Sequence, residues 1–181
     1  MNNLGSLGLG DAVDRSSPVQ VGALTTWTSI AGGQAHTLAL KSDGTVWSWG
    51  RNNYGQLGNG KRFKKNTPVL VNNLTDIIAI AGGTWHSLAL KQDGAVWVWG
   101  RNDYGQLGDG SFKNKKTPVQ VKDLTEVVAI AGGQLHSIAL KSDGTVWAWG
   151  SNWSGQLGSE TVVGVSDIPV QVNSLQNISS I

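Results

Sequence analysis

The sequence predicts an all-β fold of repeated four-stranded antiparallel units, each the size of one propeller blade. Three observations carry this. One block recurs three times in register, as AGGQAHTLALKSDGTVWSWG (31–50), AGGTWHSLALKQDGAVWVWG (81–100) and AGGQLHSIALKSDGTVWAWG (131–150). A second block, built on a Gly-rich loop and a PVQV-like segment, recurs four times before, between and after them. The composition agrees: 25 Gly and 9 Trp against 14% charged residues suit short strands joined by tight turns.

Taken in order along the central unit, each element has a physical reason. HSLALK alternates, with Leu88 and Leu90 on one face and Ala89 on the other, as a strand requires. QDGA is a hairpin signal, and Asp93-Gly94 predicts a type I′ turn. AVWVWG returns with Trp97 and Trp99 on a common face, opposite Val96 and Val98. NDYGQLGDG is a turn-rich loop. TPVQV is a short strand opened by Pro118, which lacks an N–H and so belongs at a strand start or a sheet edge. EVVAIAGG is an apolar run ending in small residues, as crowded backbones demand. No helical period is present.

The expectation is one domain, 1–181, with units phased 1–50, 51–100, 101–150 and a partial 151–181. Three first halves and four second halves make about three and a half repeats. Propellers close with about four to eight blades, so the chain alone is expected to form an open arc whose blade edges invite self-association.

Composition also excludes classes. With no Cys there is no disulfide framework, thiolate nucleophile or Cys-based zinc site. The start MNNLGSLGLG lacks the basic and apolar regions of a signal peptide, and no run reaches the length of a membrane span. A soluble chain without membrane contact is expected; its compartment is not assigned, the cytoplasm being only favoured. The net charge of +2 is too small to argue for nucleic acid.

The recurring A-G-G-x-x-H-[ST]-[LI]-A-L, then D-G-x-V-W-x-W-G, then N-x-x-G-Q-L-G resembles the repeats of the regulator of chromosome condensation (RCC1-type) family over nearly the whole chain. The resemblance implies a β-propeller, usually seven-bladed, whose faces and loops bind other proteins. It also implies an alternative, guanine-nucleotide exchange on a small Ran-like GTPase, although the near-constant period leaves no insertion for the projecting β-wedge that exchange uses. A third reading is loop-mediated inhibition of a secreted enzyme.

Candidate sites divide into repeated and unrepeated residues. His36, His86 and His136 occupy one phase of three units, so they lie on a ring and do not converge on a metal. They are expected to be structural, bonding neighbouring backbone. Thr37, Ser87 and Ser137 follow them on the strand and point to the opposite face, which is wrong for a nucleophile–base pair. Trp49, Trp99 and Trp149, with Trp47, Trp97 and Trp147, are expected as wedges between blades. GQLGNGKR (55–62) mimics a phosphate loop but has Arg62 where Mg²⁺ needs Ser or Thr, and no helix follows. No catalytic residue, metal or cofactor is assigned, and an enzyme is not expected. What does vary is Trp85, which replaces Ala35 and Leu135, and two basic loops. Those loops supply Lys61, Arg62, Phe63, Lys64 and Lys65, then Phe112, Lys113, Lys115 and Lys116, whereas their counterparts at 11–17 and 159–167 are acidic or neutral. A positive patch with aromatic residues on a rigid scaffold suits an anionic protein surface or nucleic acid phosphates; a protein partner is expected, and nucleic acid is not.

Overall fold

The structure, a computed structural model, describes residues 2–23, 26–159, 162–173, 175 and 177–181. Twelve strands form three four-stranded antiparallel meanders. The first sheet holds β1 (Trp27–Gly32), β2 (His36–Lys41), β3 (Val46–Gly50) and β4 (Lys65–Leu70). The second holds β5 (Ile77–Gly82), β6 (His86–Lys91), β7 (Val96–Gly100) and β8 (Lys115–Gln120). The third holds β9 (Val127–Gly132), β10 (His136–Lys141), β11 (Val146–Ser151) and β12 (Val165–Gln171). Among the described residues there is no helix, hence none long and apolar enough to cross a membrane.

The sheets stack as blades. β5 touches both β1 and β2, and β9 touches both β5 and β6, so the first strands run along the inner side where neighbouring blades crowd. Alternation gives each blade two unlike faces. Leu88, Leu90, Val96 and Val98 of the second sheet pack with Val121 and Leu124 against Ala139 and Trp149 of the third. One junction earlier, Leu38, Leu40, Val46, Val71 and Leu74 meet Ala89 and Trp99 in the same way. A Leu/Val face therefore receives the Ala/Trp face of the next blade, and Trp99 and Trp149 are completely buried. Burying such a ring removes roughly 150–250 Å² from water, which makes the tryptophans the main wedges at each junction.

The first copy of the second block behaves differently. Its PVQV (18–21) is in no sheet. Its loop still docks: Ser6 O accepts from Trp49 Nε1 at 2.8 Å and from Thr37 Oγ1 at 2.9 Å. Ile30 is 70% exposed, whereas Ile80 and Ile130 pack against a preceding blade.

Two local expectations need correction. The Asp93-Gly94 hairpin is not type I′, which needs positive φ at both central residues. Only Gly94 is left-handed, at φ 81°, with Gly94 N bonded to Lys91 O. That is the three-residue pattern of a turn followed by a left-handed glycine bulge. Asp93 stays at negative φ because its carboxylate accepts from Ala95 N at 3.0 Å. The PVQV-like strand also begins three residues before Pro118, at Lys115, and Pro118 is accommodated because β8 is an edge strand.

Candidate functional site

The histidines come first, because they are the residues most easily mistaken for chemistry. His36 Nε2 lies 3.0 Å from Ser87 Oγ of the next blade, and His86 Nε2 lies 3.0 Å from Ser137 Oγ. Each hydroxyl gives its single proton to a loop carbonyl: Ser87 to Gln56 O at 2.9 Å, and Ser137 to Gln106 O at 2.8 Å. The imidazole must then be the donor, in the Nε2–H tautomer, with Nδ1 a bare acceptor. The same carbonyls accept Trp99 Nε1 at 2.8 Å and Trp149 Nε1 at 3.0 Å, using their second lone pairs. The result is a clasp of His, Ser, loop carbonyl and Trp across each junction. Burial pushes the pKa of His36 down to about 4, with a bond to the His86 backbone opposing it. Burial, then the charges of His36 and His136, pushes His86 down to about 3. These rings are neutral and sealed from solvent. A serine that donates to a carbonyl has no proton left for its histidine, so the clasp is not a nucleophile–base dyad.

Beside the backbone contact to the next histidine, each of these two rings has a side-chain partner. The main partner is a side chain 51 residues away. The signal was in the repeat: His36 and His86 are each followed at that distance by a Ser. His136 is half-buried, with burial lowering its pKa.

The unrepeated residues collect at the opening of the blades. Register pairs His36 with Gly50 and Gly50 with Lys65, so the turn after the first strand and the loop after the third share one end. At the junction of the first two blades, Arg51 lies over the Trp85 ring at 4.3 Å, and Tyr54 meets the same ring at 6.1 Å. Arg101 lies over Tyr54 at 5.1 Å and over Tyr104 at 5.4 Å. Asn52 binds this cluster to the basic loop: its Nδ2 donates to Lys61 O at 3.0 Å and Phe63 O at 3.1 Å, while Leu57 N donates to its Oδ1 at 3.0 Å. Gly60 N donates to Lys116 O at 2.8 Å, which sets Lys61 beside Lys116 of the next blade.

The other candidates are distributed less favourably. Lys115 is committed to Asp109 at 2.8 Å. Burial works to raise the Asp109 pKa, but bonds from Lys115, Ser111 and Asn102 outweigh it and the carboxyl ends below its ordinary value. Lys64 Nζ donates to Asn3 O at 3.2 Å, and Lys65 is half-buried at the start of β4. Phe63 is 77% exposed and Phe112 49%; Lys61, Arg62, Lys113 and Lys116 are exposed. Within the acidic or neutral counterpart at 159–167, Glu160 and Thr161 lie outside the described residues. No group of three or more His, Asp or Glu suited to a metal occurs among the described residues. Arg51 and Tyr54 were not anticipated; Arg51, Arg101 and then Ser151 at one repeat position is the signal that would have found them.

Comparison with known proteins decides the lineage. A family model described as the regulator of chromosome condensation (RCC1) repeat matches residues 1–40, 43–90, 93–140 and 143–181. The chain belongs to that family. A second model of the same repeat matches 27–56, 77–106 and 127–156, which start at or next to the first strand of each sheet. Among solved structures, human WBSCR16 is 24% identical with a TM-score of 0.79, over 94% of this chain and 45% of that one. Yeast RCC1 (Prp20), solved bound to Kap60, is 24% identical with a TM-score of 0.72, over 81% and 37%. Prp20p from Saccharomyces cerevisiae, reported with its binding to Gsp1p and histones, is 27% identical with a TM-score of 0.69, over 81% and 38%. The chain thus spans less than half the length of these RCC1-type structures. No curated protein sequence matches it.

Within the RCC1 repeat family the clasp reads as scaffold, since it recurs at both junctions between complete blades. The Arg51–Trp85–Tyr54 cluster and the basic loops do not recur in all three units.

Proposed function

We propose that the chain is a non-enzymatic RCC1-type scaffold that binds a protein partner through the loop end of its blades. One observation carries the reading: blade junctions repeat almost residue for residue, while Trp85 and the loops 61–66 and 111–116, set beside Arg51, depart from the repeat at one end. A rigid frame that varies only in surface loops is how binding sites are mounted. Affinity capture with the intact chain, beside a variant whose loops 61–66 and 111–116 are changed to Ser, tests it. Loss of a defined partner with an unchanged melting temperature is expected, and undiminished recovery of that partner would refute the loop reading.

A second reading has support in one likeness. Prp20p, the 27%-identical structure, was reported with its binding to Gsp1p. Release of labelled GDP from a Ran-like GTPase, measured with and without the chain, tests exchange activity directly. Acceleration in proportion to chain concentration is the outcome that would favour exchange over scaffolding.

A further inference from the structure

The junction of the first two blades differs from its neighbours in charge as well as in aromatic content. Equivalent backbone bonds join loop and next blade at all three places: Gly10 N to Asn66 O, Gly60 N to Lys116 O, and Gly110 N to Asp167 O. At the first place the loop continues into Asp11, which pairs with Arg15 at 2.6 Å. At the third, Ser111 follows Gly110 and faces the Asp167 segment. At the middle place Lys61 and Arg62 follow Gly60 and face Lys116, and no carboxylate pairs with any of these three side chains among the described residues. Like charges set against one another cost stability, so packing gives no reason for this arrangement.

The same junction holds the cationic and aromatic end groups. Arg101 is neutralised by Asp103 at 2.6 Å, but the matching residue beside Arg51 is Asn53. Arg51 Nε is buried without a hydrogen-bond partner, and its guanidinium rests on the Trp85 face. Asn52 joins Arg51 to Lys61 and Phe63 through the bonds described above. Trp85, Arg51, Tyr54, Phe63, Lys61 and Lys116 therefore form one radial strip, from the turn after β5 outward to β8. Strands lie about 4.8 Å apart, so crossing from β5 to β8 covers roughly 14 Å, the reach of about four extended residues.

We propose that this strip is the docking site for a short acidic segment of a partner protein, with carboxylates at Lys61, Arg62, Lys116 and Arg51 and an apolar side chain between Phe63 and Trp85. The proposal rests on the scaffold reading and names the partner's chemistry. Guanidinium groups already stacked on aromatic rings pair with carboxylates at little further cost in side-chain order. The alternation of cations with aromatics, exposed at Phe63 and half-buried at Trp85, matches a mixed acidic–apolar peptide better than a uniform polyanion.

Anisotropy with fluorescein-labelled acidic peptides tests it on the intact chain. The probes are hexaglutamate and the same peptide with one Glu replaced by Phe, beside an oligothymidylate and phosphatidylserine vesicles. The expected result is salt-sensitive binding of both peptides, tighter for the Phe peptide. Lys61→Ser/Arg62→Ser/Lys116→Ser should weaken it at least about tenfold. Trp85→Leu, which installs the residue found at position 135, should abolish the preference for Phe. Lys91→Gln/Lys122→Gln/Lys141→Gln removes equal charge elsewhere and should leave binding within about twofold. Equal loss in that control would reduce the effect to net charge and overturn the proposal. Tighter binding of oligothymidylate or vesicles through the same residues would overturn it in favour of a phosphate surface. If the wild-type chain binds neither peptide while loop-dependent capture persists, the acidic segment is wrong and the scaffold reading stands. Should the triple variant lose its fold, Arg62→Ser alone, at an exposed position, carries the comparison.

Discussion

At the scale of single residues, the clasp makes His86 and His136 a natural experiment. Both belong to the same motif, yet His86 is 0% exposed and bonded to Ser137, while His136 is half-buried. Ser137→Ala should therefore strand the His86 Nε2–H inside the junction. An orphaned buried donor costs about 1–3 kcal/mol. His136→Ala removes a half-buried ring that bridges to no other blade among the described residues and should cost less than about 1 kcal/mol. Urea denaturation of the two variants checks the contrast, and equal midpoints would show that the clasp does not hold the blades together. The same reasoning explains why no dyad chemistry arises from a His and Ser at bonding distance: the carbonyl of Gln106 already takes the serine proton.

At the scale of elements, the Gly-rich loop is the part that senses its neighbour. Gly105 has φ 77°, and a Cβ there would lie 2.5 Å from Ser166 O and 2.7 Å from Asp167 Cα of the next blade. Gly155, at φ 75° in the last copy of the same loop, has nothing within 4 Å. Gly155→Ala should cost only the left-handed backbone penalty of about 1–2 kcal/mol. Gly105→Ala adds a collision with backbone, so about 2–5 kcal/mol is expected. Thermal melts of the pair measure the difference, which isolates blade docking from backbone strain. Elements were also what the sequence displayed best. The alternation in HSLALK and AVWVWG, and their return at a fixed period, were enough to place the strands and the Trp wedges. The Asp-Gly turn type was misjudged, since the dipeptide fits two hairpin geometries and the choice depends on whether Asp93 spends its carboxylate on Ala95 N. The His–Ser link was hidden for a different reason. It joins residues on consecutive blades, and alternation within one strand carries no information about the face opposite. Arg51, Tyr54 and Trp85 likewise become a cluster only once two blades are stacked.

At the scale of the whole molecule, the clasps couple blade stacking to pH. Each buried histidine has a native pKa below its unfolded value of about 6.5: about 4 for His36 and about 3 for His86. Above pH 6.5 both states are neutral, and the full stability is present. As pH falls through 6.5 the unfolded chain takes up protons that the native chain refuses, so stability declines until the native pKa values are reached. Each histidine in that window contributes a slope of about 1.4 kcal/mol per pH unit, and the two act together. Asp43 and Asp143, lowered chiefly by their bonds to Thr45 and Thr145, add loss in the same direction, but only around and below the ordinary carboxylate range. The window between about pH 6.5 and 4 therefore belongs to the histidines. Unfolding free energies measured by urea titration at several pH values across it should fall steeply for the wild type. His86→Gln should lower the stability at neutral pH and flatten the slope below it by about a third to a half, since His36 and, with its own lowered pKa, His136 still refuse protons in the native state. A slope unchanged by His86→Gln would mean that the ring is not held neutral in the native junction. Because each clasp spans two blades, the acid transition should part the stack at its junctions, with tryptophan fluorescence shifting as Trp99 and Trp149 meet water.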